Sequence, residues 1–125
     1  MSNQKIILAE PNELLRKVLT DRLRIEGFEV KSVVNGLELI DDMESQPDLI
    51  ITEELLPFRS GFEILEIAKQ KKIPVIIISD ADLESKILEA FRLGASDFID
   101  KPFSPNEVVA RSKNILFRLN NSENV

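Results

Sequence analysis

Glu10, Glu53, Ser79 and Lys101 each stand at or just past the carboxyl end of a short apolar run, at 6–9, 49–52, 75–78 and 98–99. Two carboxylates brought side by side would hold a hard cation or a Lys ammonium. A hydroxyl and an ammonium together would grip an oxyanion. Little other chemistry is open to this chain. It has no Cys and no His, which removes disulfides, thiolate ligands and the commonest general base. Its four glycines, at 27, 36, 61 and 94, cannot form a G-x-G-x-x-G turn or a phosphate-binding loop. Taken singly, each of the four residues reads more simply as a polar residue at a loop start, with Lys101 neutralising a local acid excess. Four at one rim weigh against that reading, although they do not identify a reaction.

Positioning them requires a frame. At 125 residues the chain has the size of one domain. Its 16 basic and 22 acidic residues leave a net charge of −6, which argues against a nucleic-acid footprint and against attraction to an anionic membrane. The apolar runs are too short for a signal-peptide core or a membrane span, so a cytoplasmic location is expected. Residues 1–119 are expected to form the domain and 120–125, which contain the frayed-looking Asn-Asn-Ser-Glu-Asn stretch, a disordered tail.

The apolar runs at 6–9, 49–52 and 75–78 suit strands covered on both faces, while the alternation across 28–33 suits an edge strand. Amphipathic segments lie between them. Leu15, Val18, Leu19 and Leu23 share one helical face that Gly27 ends. Leu37, Ile40 and Met43 suggest a second helix after Gly36. Phe62, Leu65 and Ala68, with Ile64 flanking, suggest a third begun by Ser60-Gly61. Leu83, Ile87 and Phe91 suggest a fourth ending at Gly94. Ser104-Pro105-Asn106-Glu107 supplies an N-cap, a first-turn Pro and a capping-box Glu for the last, whose face is Val108, Ser112, Ile115 and Leu119. Five βα units in a row predict an α/β fold, a parallel sheet with helices on both sides. In such sheets function sits outside the carboxyl ends of the strands.

Over residues 5–118 the sequence resembles the receiver domains of bacterial two-component response regulators, most closely those attached to winged-helix DNA-binding domains. The likeness is carried by Lys5-Ile6-Ile7-Leu8-Ala9-Glu10, by Pro47-Asp48-Leu49-Ile50-Ile51-Thr52-Glu53 with Pro57 and Gly61, by Ile73 to Ser79, and by Gly94 to Phe103. It implies the flavodoxin-like (βα)5 three-layer sandwich, with a parallel five-stranded sheet in the order 2-1-3-4-5. It also implies a phosphorelay role. An Asp ending the third strand would take a phosphoryl group from a histidine kinase, an acidic pair ending the first strand would help hold Mg²⁺, and a hydroxyl and a Lys would bind the phosphoryl oxygens. By the same likeness Ser79 and Phe98 are switch positions, and Lys101 is followed by a cis proline.

The chain departs from that pattern where the chemistry lies. Glu53 stands at the phosphoacceptor position, its extra methylene carrying the carboxylate about 1.5 Å further out, enough to spoil in-line attack. Pro11 replaces the second acid of the acidic pair, Glu10 being an acceptable first. Asp80 adds bulk and charge where a small residue usually leaves room. Phe98 lacks the hydroxyl of the usual Tyr. Glu54, pointed away from Glu53 by strand alternation, reads as a solvated loop acid.

The expectation is a degenerate receiver, not an enzyme, with no catalytic residue, no metal ligand and no cofactor. It would act by protein–protein interaction, with Glu53 in a direct ion pair with Lys101. The alternative is a working receiver that takes a phosphoryl group on Glu53 with weak Mg²⁺ binding. A flavin or nucleotide binder on the same fold is set aside for want of a phosphate loop and a stacking Trp or Tyr. The resemblance points to signalling partners at the fourth helix, fifth strand and fifth helix, to a histidine kinase, and to a homodimer through Asp97, Glu107 and Arg111. A solvated helix face with Glu107–Arg111 support explains those three residues equally well.

Overall fold

A computed structural model of the chain describes residues 3–80 and 84–123. Five strands alternate with five helices: β1 (Lys5–Ala9), α1 (Glu13–Ile25), β2 (Glu29–Val33), α2 (Gly36–Asp42), β3 (Leu49–Glu53), α3 (Gly61–Lys71), β4 (Val75–Ser79), α4 (Glu84–Arg92), β5 (Asp97–Asp100) and α5 (Pro105–Glu123). A single 3₁₀ turn, Met43–Ser45, follows α2. All neighbouring strands pair in parallel, in the order β2-β1-β3-β4-β5. This is the sheet order implied by the resemblance.

The sheet divides the core into two layers. Ile7, Ala9, Ile50, Val75 and Ile77 pack with residues of α2, α3 and α4. Ile6, Leu8, Leu49, Ile51, Ile76 and Ile78 pack with α1 and α5. Successive strand residues thus serve opposite layers, and β3 and β4 are buried along their whole length, as their unbroken apolar character requires. β2 and β5 are the two edge strands, and the exposed positions of β2 are polar.

The helix ends are set by local chemistry. Asn12 caps α1 by accepting from the Leu15 N–H at 2.8 Å, and Gly27, at φ 97°, turns the chain out of the helix. Ser60 caps α3 by accepting from Glu63 N–H. Ser104 caps α5 the same way through Glu107 N–H at 3.2 Å, but the Glu107 carboxylate is turned to Arg111, so only half of the expected capping box forms.

Several expected helix faces are rotated. In α2 it is Leu39 that is fully buried, while Leu37 is 47% exposed. Val18 and Leu119 are also largely exposed, and Val109 and Leu116 take inward positions on α5. A helix of this length carries apolar residues on more than one face, and the neighbour it meets decides which is covered. Leu83 lies outside the described residues. The helix α5 continues past Leu119 through Glu123, so the backbone of 120–123 is helical where a disordered tail is expected.

Candidate functional site

Parallel pairing brings the carboxyl ends of β1, β3, β4 and β5 to one rim. Glu10 follows β1 directly and is 3% exposed. One of its oxygens, Oε2, accepts from the Asn12 N–H at 2.9 Å, so the loop into α1 holds the carboxylate inward. Pro11 is exposed beside it and brings no donor or carboxylate. Glu53 ends β3 and is 7% exposed. Its Oε1 accepts from Lys101 Nζ at 2.6 Å. The ion pair expected between these two residues is therefore present, formed across the β3 and β5 ends. The Lys101–Pro102 peptide is cis, as the resemblance implies.

Two oxygens at this rim, Glu10 Oε1 and Glu53 Oε2, are buried without a hydrogen-bond partner. Two ionised carboxyls have no proton to offer each other. Burial pushes the Glu53 carboxyl up to about 7; the Lys101 hydrogen bond opposes that rise, and the carboxyl of Glu10, within hydrogen-bonding reach, adds to it. A proton on Glu53 supplies the missing donor. Burial works against the Lys101 ammonium, yet its affinity for the proton is raised by Glu53, with Glu10 and the exposed Asp80 adding to the effect. Two buried acids thus share a site with one base whose side chain remains 31% exposed.

Ser79 does not complete that cluster in the way expected. It is 1% exposed, and its Oγ donates to Glu54 Oε1 at 2.5 Å. Glu54 itself is no solvated loop acid: it is 7% exposed and pairs with Lys86 of α4 at 3.1 Å. Alternation does direct it away from Glu53, but that side of the sheet is covered by α4. The rim is therefore two clusters, Glu10–Glu53–Lys101 and Ser79–Glu54–Lys86. Sequence reasoning missed Lys86 altogether; the available signal was a second acid past a buried strand end with a single Lys in α4, the helix that follows β4.

Phe98 is 8% exposed and packs in the layer shared with Ala90 and Ala95. Its ring needs no hydroxyl partner there. On the far side of β5, Arg111 meets both oxygens of Asp97, at 2.9 and 3.1 Å, and Glu107 at 3.1 Å. The three residues named for a dimer face are joined within one chain.

The donor set is a poor match for Mg²⁺, which demands about six oxygens in near-ideal octahedral order. Pro11 withdraws one acid, and Lys101 occupies one oxygen of Glu53. Among the described residues no group of three or more His, Cys, Asp or Glu side chains is arranged to hold a metal ion.

With fold and rim defined, comparison with known proteins places the chain. The family described as response regulator receiver domain matches residues 6–113. The chain belongs to that family. It is 31% identical over 121 residues to the probable transcriptional regulator ycf27 of Porphyridium aerugineum, covering 95% of this chain and 50% of that protein. The receiver is also similar to DrrB, a Thermotoga maritima OmpR/PhoB homolog, with a TM-score of 0.86 and 27% identity over 94% of this chain and 54% of that one. A CheY-like receiver domain protein from Methanospirillum hungatei JF-1 shares the fold, with a TM-score of 0.90 at 21% identity, over 97% and 99% of the two chains. The receiver thus spans about half the length of the first two relatives.

Proposed function

We propose that this receiver is degenerate: a module of two-component signal transduction that works through protein–protein contact, without aspartyl phosphorylation and without acting as an enzyme. The observation that carries this reading is the 2.6 Å contact between Glu53 and Lys101. It joins, in one contact that becomes an ion pair as Glu53 ionises near pH 7, the carboxyl at the phosphoacceptor position and the ammonium that would otherwise meet a phosphoryl oxygen. A donor would have to break that pair inside a buried pocket, where separating charges is costly. No divalent cation or other cofactor belongs to this reading.

The net charge of −6 and the absence, among the described residues, of any helix long and apolar enough to cross a membrane fit a cytoplasmic domain. Its partners are then other signalling proteins that meet α4, β5 and α5, and direct binding to nucleic acid or membrane forms no part of the reading. Incubation with an acyl-phosphate donor and Mg²⁺ is expected to leave the intact mass unchanged. A stable phosphoryl adduct on Glu53 would overturn the proposal.

The second reading, a working receiver that takes a phosphoryl group from a histidine kinase on Glu53, has one observation in its favour. The unpartnered oxygens of Glu10 and Glu53 are the ligands a weak Mg²⁺ site would use. Calorimetric titration with Mg²⁺ is expected to show no binding, and saturable binding, weak or tight, would favour this second reading.

The charged residues on β5 and α5 allow a further check. Arg111 is satisfied inside one chain, so Arg111→Glu places three carboxyls together with Asp97 and Glu107. The variant is expected to lose about 1 kcal/mol, or roughly 3 to 5 °C in Tm, with its sedimentation coefficient equal to that of the wild type. A lower coefficient than the wild type would assign Asp97, Glu107 and Arg111 to a homodimer.

A further inference from the structure

We infer that Glu54 is a built-in anionic latch that fastens α4 to the ends of β3 and β4 and holds the α4 surface in place with nothing bound at the rim. Among the described residues little else secures this helix. It has nine residues, too few to be stable alone. Ala90 is its only fully buried residue, Ile87 is partly packed, and Leu88 and Phe91 remain 62% and 46% exposed. Apolar burial is therefore a weak tether for α4, and polar contacts carry more of the load.

Glu54 is well built for that load. Its backbone is fixed on both sides, its N–H donating to Ile78 carbonyl at 2.8 Å and its carbonyl accepting from Gly61 N–H at 2.8 Å. Its carboxylate is nearly desolvated and receives Lys86 Nζ on both oxygens, at 3.2 and 3.1 Å, with the Ser79 hydroxyl on Oε1. The anion is anchored to the sheet, and the cation rides on the helix with a side chain 39% exposed. Withdrawing either partner leaves a charge without its counter-charge, which costs more than the pair contributes while intact. The latch needs neither a phosphoryl group nor a metal, so it stands whether or not Glu53 can be modified.

Hydrogen exchange of the full chain, read by mass spectrometry or NMR, tests this. Glu54→Gln keeps an acceptor for Ser79 and removes the negative charge that faces Lys86, while Lys86→Met keeps the stem and removes the ammonium. Both are expected to speed exchange of the α4 amides on the order of tenfold, with β1 and β3 amides unchanged. The double variant should exchange more slowly in α4 than either single one, because it breaks the same contact and leaves no charge without its counter-charge. Lys86→Met, at a partly exposed position, decides the matter if Glu54→Gln does not fold. Unchanged exchange in α4, or equal acceleration throughout the sheet, would overturn the latch.

Discussion

Between about pH 5 and pH 7.5 the wild-type receiver is expected to lose roughly 2 to 3 kcal/mol of folding stability, and Glu53→Gln is expected to lose almost none. The cause is the Glu53 carboxyl, pushed from an ordinary value of 4.5 up to about 7 by burial and by the facing carboxyl of Glu10. In the unfolded chain this group releases its proton near 4.5, whereas the folded protein keeps it until about 7. Over that interval the native state binds more protons than the unfolded state, so stability falls as pH rises and levels off above the folded value. At about 1.4 kcal/mol per unit, the interval sets the size of the loss. With no His in the chain, no other side chain has its ordinary midpoint in this window, and the ordinary carboxyls are mostly ionised at its lower end.

Glu53→Gln should remove the slope for a structural reason. A Gln amide can accept from Lys101 and donate to Glu10, satisfying both orphan positions at any pH, as the protonated Glu53 does below 7. Urea unfolding at several pH values in this range checks it. A flat wild-type curve, or the same slope in both proteins, would show that Glu53 does not hold the proton.

The second large effect concerns the backbone under the rim. Gly61 begins α3 where the chain passes behind β3, and a Cβ there would lie 2.8 Å from the Glu53 carbonyl oxygen, 3.0 Å from Glu54 Cα and 3.2 Å from Ile77 Cδ1. Two of those neighbours are backbone, which cannot give way cheaply. Gly61→Ala is therefore expected to cost about 1 to 3 kcal/mol and to lower Tm by roughly 3 to 15 °C. The displaced segment carries both Glu53 and Glu54, so the strain falls on both rim clusters. An unchanged melting temperature would mean that α3 slides away from β3 without loss.

Much of this molecule was legible in its sequence. Apolar runs such as 75–78 can only be buried on both faces, Ser60 and Ser104 mark helix starts through the hydroxyl each offers, and alternation of such elements leaves a parallel sheet as the economical arrangement. The placement of Glu10, Glu53, Ser79 and Lys101 at one rim followed from the strand ends alone, and the Glu53–Lys101 contact followed from their charges. Helix phase was less legible: Leu37 and Leu39 are equally apolar, and only the layer packed against α2 buries the second and exposes the first.

The fate of Glu54 shows most plainly where local pattern stops. Its direction, away from Glu53, is a property of the strand and was readable from the order of residues. Its burial is not, because that depends on α4 lying over the same side of the sheet and bringing Lys86 within 3.1 Å. Likewise the sequence names two acids and one Lys at the rim, while their proton affinity depends on how completely water is shut out. Residue types and spacing determined the parallel α/β fold and the rim, and the resemblance to receiver domains marked the missing acid at Pro11. Tertiary packing decided which charges meet and which lose water, because both depend on chain segments far apart in sequence.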